Sequence, residues 1–148
     1  MKRKIFTVGA SLLERNGKIL LIKERKRVAR EKWNFPAGRL HKKESLIDCA
    51  IRETKEETGF EIKPLYLIGI YQCQPISGPE AVIFIFKSKI LKEKLTPSKE
   101  TLKIKWFSIK EIKKLNKRNF LRAPFILEAI KDYNLGRKIP LKFIKVFK

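Results

Sequence analysis

Gly38-Arg-Leu-His-Lys-Lys-Glu44-Ser-Leu-Ile-Asp-Cys-Ala-Ile-Arg52-Glu53-Thr-Lys-Glu56-Glu57-Thr-Gly59-Phe60 decides the fold. Its second half reads as a helix. Ser45, with Asp48 three residues on, forms a capping-box signature. Leu46, Ile47, Ala50, Ile51 and Thr54 recur at helical spacing, and Gly59 is a C′ stop, so the helix runs from about Ser45 to Thr58. That spacing packs Ile47, Ala50, Ile51 and Thr54 inward and turns Glu53, Glu56 and Glu57 outward as one cluster. Carboxylates so placed repel one another by a few tenths of a kcal/mol per pair, on the order of 0.2–0.5. Arg52 and Lys55 relieve part of this, and a bound cation would relieve more. Hard oxygen donors are what Mg²⁺ and Mn²⁺ prefer, and Mg²⁺ shares its remaining positions with water and substrate phosphates. Acidic triplets on exposed helices are commonly mere solvated surface. The wider spacing has to decide between the two.

Outward from this stretch, Ile5 to Leu13 is rich in β-formers. Asn16-Gly17 is a hairpin signal, and Lys18 to Ile22 returns as a second strand. Lys23 to Lys32 reads as an exposed loop, and Trp33-Asn-Phe-Pro-Ala-Gly38 ends in a Pro/Gly breaker. Downstream, Phe60 to Tyr71 has strand character interrupted by Pro64, and Gln74 to Pro79 is a turn. Ala81 to Phe86 is an apolar run expected to be buried on both faces, and Ile104 to Phe107 is a short strand. Ser108 with Glu111 repeats the capping box, and a further helix spans about Pro124 to Tyr133. The expectation is an α/β fold, a mixed sheet flanked by helices, in one domain over 1–148.

The chain has 148 residues, 43% of them hydrophobic and 34% charged, which is globular rather than disordered. Lys and Arg number 36 against 15 Asp and Glu, a net charge of +21 that suits an anionic ligand or nucleic acid. Lysines nevertheless run from Lys2 to Lys148 in no single block, the pattern of a solvated surface. Cys49 and Cys73 are too few for a disulfide framework and lack zinc-ligand spacing, and Cys49, among apolar neighbours, reads as a core thiol. The first thirteen residues read as a strand rather than a signal peptide, and no apolar stretch reaches transmembrane length. These features lead us to expect a cytoplasmic protein without a membrane partner.

Gly38, Glu44, Arg52, Glu53, Glu56, Glu57 and Gly59 stand as Gly-x5-Glu-x7-Arg-Glu-Thr-x-Glu-Glu-x-Gly. This resembles the signature box of the Nudix hydrolase family. Thr54 departs from a position that favours an aliphatic residue, and Ala37 and Lys43 replace residues frequent at their positions. The resemblance implies an α/β/α sandwich in which Glu53, Glu56 and Glu57 bind Mg²⁺ or Mn²⁺, with a carbonyl near Ala37 or Gly38 in the shell. It implies a structural ion pair between Glu44 and Arg52, and in-line attack of a metal-activated water on phosphorus. Glu53, Glu56 and Glu100, the last in the loop before Trp106-Phe107, are the candidates for general base.

Trp33 to Leu40, Leu121-Arg-Ala-Pro124, Glu128-Ala-Ile130, Tyr133, Gly136-Arg137 and Pro140-Leu141 are similar to the NudJ group of phosphatases within that family. The similarity implies a phosphatase acting on nucleoside di- and triphosphates and thiamine-type pyrophosphates. The alternative is an ADP-ribose or other nucleoside diphosphate sugar pyrophosphatase. Pro75 favours it, fifteen residues past Phe60, whereas the lack of extra N-terminal strands speaks against it. Lys23, Arg25, Arg27 and Arg39 are candidate phosphate contacts, though each alone is more often a solvated surface charge; Tyr71 and Phe35 either stack on a ring or pack in the core or rim, and His41 is an exposed loop residue. A non-catalytic RNA-binding protein, or an enzyme removing 5′ pyrophosphate from RNA, ranks below a small-molecule hydrolase, since the cluster of glutamates is intact. A monomer and a homodimer both fit the sequence.

Overall fold

A computed structural model describes residues 4–25 and 31–148. Arg27 lies outside these residues. Asn16 and Gly17 both take positive φ, 51° and 78°, the geometry of a two-residue hairpin turn whose twist matches its strands. The turn joins β2 (Glu14–Arg15) to β3 (Lys18–Glu24). β3 also pairs antiparallel with β4 (Trp33–Asn34) and β8 (Thr101–Ser108), making one four-stranded sheet.

The other sheet has the order β5-β1-β7-β6, built from β1 (Ile5–Leu12), β5 (Ala37–Arg39), β6 (Glu61–Cys73) and β7 (Glu80–Lys92). β1 and β7 run parallel while β5 and β6 join antiparallel, so the sheet is mixed as expected. Trp33 to Gly38 is more than a breaker. Its first two residues belong to one sheet and its last two to the other, and Pro36 between them offers its carbonyl to the Ser11 N–H at 3.0 Å. Pro64 cannot donate to a ladder. β6 accommodates it because it is an edge strand and its register shifts between Pro64 and Tyr66.

β7 is central, and both its faces meet core. Ile83 and Ile85 pack with Leu21, Phe107, Ile126 and Ile130, and Phe86 with partly buried Phe84 packs with Ala50 and Leu67. Ala81 and Val82, at the start of the run, are only half-buried. Three helices follow from local signals. α1 (Leu46–Thr58) starts where the Asp48 N–H donates to Ser45 Oγ at 3.0 Å. It ends at Gly59, with φ 85° and its N–H on the Lys55 carbonyl. α2 (Ile109–Lys117) carries the reciprocal Ser108–Glu111 capping box. α3 (Phe125–Asn134) starts at Pro124 with no side-chain cap. α1 and α3 cover opposite faces of the mixed sheet, giving the expected α/β/α sandwich. Among the described residues no helix is long and apolar enough to cross a membrane.

Candidate active site

α1 lies very close to β1. A Cβ on Gly9 would meet Cys49 Sγ at 3.0 Å and the Ala50 nitrogen at 3.1 Å. Cys49, Ala50 and Thr54 are fully buried, and burial pushes the Cys49 thiol up to about 11. The packing face is the one expected from spacing. The opposite face differs from the expectation, because of the three glutamates only Glu56 is exposed.

Glu57 is buried, with Oε1 accepting the Ala37 N–H at 2.8 Å. β5 is an outer strand, and a buried backbone donor there needs an acceptor. Glu57 supplies it and is drawn beneath the loop. Glu53 lies alongside, its carboxylate where a Cβ on Gly38 would be, so any side chain at 38 would displace that carboxylate.

Arg52 ties the arrangement together. Its Nε and Nη2 hold Glu44 at 2.6 and 2.9 Å, and Nη2 also donates to the Arg39 carbonyl at 3.0 Å. The ion pair expected between Glu44 and Arg52 is therefore formed, in the two-pronged geometry that suits guanidinium and carboxylate. Arg52, aided by the His41 N–H, lowers Glu44 to about 2, and Glu44 in turn raises Arg52. Arg52 Nη1 lies 2.7 Å from Glu53 and 3.2 Å from Glu56. A positively charged nitrogen thus sits between two of the three clustered carboxylates. The donor set of hard oxygens fits a divalent cation, with this nitrogen as stand-in. Among the described residues no three acidic, imidazole or thiol groups converge as a cage, Glu53 and Glu56 being held instead by Arg52.

Ala37 links this cluster to a cavity of about 820 Å³ between β6, β7 and the start of α3. Tyr71, Cys73, Pro75, Arg122, Phe125 and Glu128 are among its walls. Arg122 is the one cationic wall residue among those described, and sequence reasoning did not single it out as a ligand residue. Only the Leu121-Arg-Ala-Pro124 similarity pointed near it. The chain brings it there by pairing across sequence: the Arg122 N–H donates to the Trp33 carbonyl and the Trp33 N–H to that of Phe120, each at 2.8 Å.

Of the expected ligand contacts among the described residues, Tyr71 lines the cavity and Lys23, Arg25 and Arg39 do not. The Lys23 ammonium lies 5.6 Å from the Trp33 ring, and the Arg39 guanidinium lies over Phe6 at 3.6 Å. Arg25 is exposed past the end of β3, its N–H on the Glu100 carbonyl at 2.8 Å. Glu100 is exposed in the turn before β8. Phe35 is fully buried in the main core, so of its two expected roles it takes packing rather than stacking. His41 is exposed, as expected.

A family model described as the NUDIX domain matches residues 3–128. The chain belongs to the Nudix family, and it is a hydrolase acting on phosphoanhydrides. It is 30% identical over 142 residues to phosphatase NudJ of Shigella boydii serotype 4, covering 93% of this chain and 89% of that protein. The values are the same for phosphatase NudJ of Escherichia coli strain K12. A NUDIX hydrolase structure from Nitrosomonas europaea superposes with a TM-score of 0.89 at 32% identity, covering 97% of this chain and 98% of that one.

Proposed function

We propose that Glu53, Glu56 and Glu57 hold Mg²⁺ or Mn²⁺ and that the protein hydrolyses nucleoside di- or triphosphates or thiamine-type pyrophosphates, releasing orthophosphate. The observation that carries this reading is the placement of Glu57 on the Ala37 N–H and of Glu53 against Gly38, with Glu56 joined to Glu53 through Arg52, beside a cavity large enough for a nucleotide. The similarity to proteins named phosphatase NudJ supports orthophosphate as the product.

When bound there, the cation polarises the phosphoryl oxygens and lowers the pKa of water. The chain's own residues do the rest. Glu57 is oriented by the Ala37 N–H, and glycine at 38 clears room for Glu53. Arg52, locked on Glu44, holds the helix against the loop. Arg122 presents a guanidinium to a phosphate oxygen. Glu56, the most exposed of the three, takes the proton of the attacking water; Glu53 and Glu100 are the other candidates for that transfer.

Phosphate release from nucleotides and thiamine diphosphate, measured with Mg²⁺ and again with chelator, tests the proposal. Orthophosphate must appear only with metal, and wild type inert on every phosphoanhydride would refute it. Pro75 in the cavity wall favours the pyrophosphatase alternative. AMP release from ADP-ribose, exceeding orthophosphate release from nucleotides, would establish that alternative instead.

A further inference from the structure

The strap of chain that follows α3 is anchored at three residues and otherwise left to solvent. Ile139 exchanges both backbone hydrogen bonds with Leu67 of β6, at 2.9 and 2.8 Å. Leu141 and Ile144 then pack, with Leu46 and Ile47 of α1, against buried Ala50, Leu67 and Phe86. The chain makes a 3₁₀ turn at Leu141–Phe143. The residues between and after these anchors are exposed. Phe143 is 68% exposed, Val146 58% and Phe147 88%. Lys142, Lys145 and Lys148 beside them are exposed too.

Exposed apolar side chains scattered singly are ordinary, but two phenylalanines and a valine between positions 143 and 147 form a group. The charge around them has one sign. Over 133–148 there is no Asp or Glu, against the cations Arg137, Lys138, Lys142, Lys145 and Lys148. A second copy of this chain does not suit such a surface, since the same cations would meet across the contact. Single-stranded nucleic acid suits it less than lipid does. Val146 offers a base no ring to stack on, and the outer charges are lysines rather than arginines that fork onto phosphates. An anionic lipid surface uses every feature. Apolar side chains enter the boundary of the acyl chains, and lysine stems lie along them with their ammonium heads among the headgroups. The anchors at Ile139, Leu141 and Ile144 already order the strap, so little freedom is lost on contact.

We infer that the strap is a docking surface for an anionic phospholipid membrane, with Phe143, Val146 and Phe147 inserting and Lys142, Lys145 and Lys148 meeting the headgroups. This departs from the expectation of no membrane partner, which follows from the lack of a spanning segment; a peripheral contact needs none. It is independent of which phosphoanhydride the enzyme cleaves.

The test is co-sedimentation of the full chain with vesicles of phosphatidylcholine, alone or mixed with phosphatidylglycerol. Wild type is expected to pellet with the mixed vesicles and not with the neutral ones. A chain of net charge +21 is drawn to any anionic surface, so two comparisons isolate the strap. Phe143→Ser combined with Phe147→Ser leaves the charge unchanged and should weaken partitioning by about tenfold or more. Lys142→Gln, Lys145→Gln and Lys148→Gln together should weaken it about a hundredfold, at about fivefold per lysine. Lys110→Gln, Lys113→Gln and Lys117→Gln on α2 remove the same charge and should cost less than about fivefold in all, because charges away from the contact are screened. Phe147→Trp reads insertion as a gain, so it serves even where a multiple variant folds poorly. Its emission should shift to the blue relative to wild type on mixed vesicles, as an indole leaving water does. Equal losses in the strap and α2 variants, undiminished binding by the serine variant, or an unshifted tryptophan overturns the inference. Wild type that ignores mixed vesicles, or binds neutral ones as well, overturns it too. If vesicles are ignored while binding of oligouridylate or self-association needs the strap, the surface belongs to nucleic acid or to a second copy instead.

Discussion

Thr54 shows how a single residue can satisfy a packing rule and break a polar one. Its position on the inner face of α1 follows from spacing, and it is fully buried. Its hydroxyl has no hydrogen-bond partner among the described residues. An unmade hydrogen bond costs more than an apolar replacement of the same shape. Thr54→Val should therefore raise unfolding free energy by about 1 kcal/mol, and a lower melting temperature in the variant would count against this account. Gly38 is the opposite case, a residue whose missing side chain leaves room for the Glu53 carboxylate. Gly38→Ala should leave the chain folded but displace Glu53, lowering kcat about a hundredfold, as a displacement of about 1 Å can. Activity within a factor of about two of wild type would show that Glu53 does not need its present place. The glutamates could be read from sequence because helix spacing is local. The burial of Glu57 could not, since it depends on an N–H from Ala37, twenty residues away.

At the scale of elements, α1 was legible nearly to the residue, because Ser45 and Gly59 terminate it by side-chain and backbone chemistry contained in the segment itself. A Cβ on Gly59 would overlap the Lys94 carbonyl, and φ 85° is strained for any L side chain. Gly59→Ala should cost at least about 1 kcal/mol in denaturant unfolding, and a neutral result would mean the helix end relaxes freely. The clamp at the other end of the box is electrostatic and has a pH signature. Glu44 is lowered from 4.5 to about 2, chiefly by Arg52. A depressed carboxyl contributes stability that is fully present above the unfolded value and is lost as pH falls toward the folded one. The stability difference between wild type and Glu44→Gln should thus hold above pH 4.5 and close between 4.5 and about 2. A difference that stays constant through that window would contradict the role of the pair. Strand ends were less legible. The jump of Trp33 to Arg39 between two sheets is a matter of long-range pairing, which no local pattern records.

The cavity belongs to the whole molecule. Tyr71, Arg122 and Glu128 come from separate segments, and they meet only because β6 lies beside α3 and the chain before Pro124 pairs with Trp33. For the same reason Arg122 escaped notice while Lys23, Arg25 and Arg39 drew it. The chain as a whole carries a net charge of +21. Attraction of a polyphosphate should then weaken with salt, raising KM between about 0.01 and about 1 M as the screening length shrinks from about 30 to about 3 Å. A KM indifferent to salt would make the lysines plain solvated surface. Above all, the proposed hydrolysis depends on α1 carboxylates that take a divalent ion. Electron paramagnetic resonance of Mn²⁺ titrated into wild type, Glu53→Gln and Glu57→Gln tests that most directly. Free Mn²⁺ signal should be lost on adding wild type and largely retained with either folded variant, whereas equal Mn²⁺ binding by all three, or none by wild type, would contradict it.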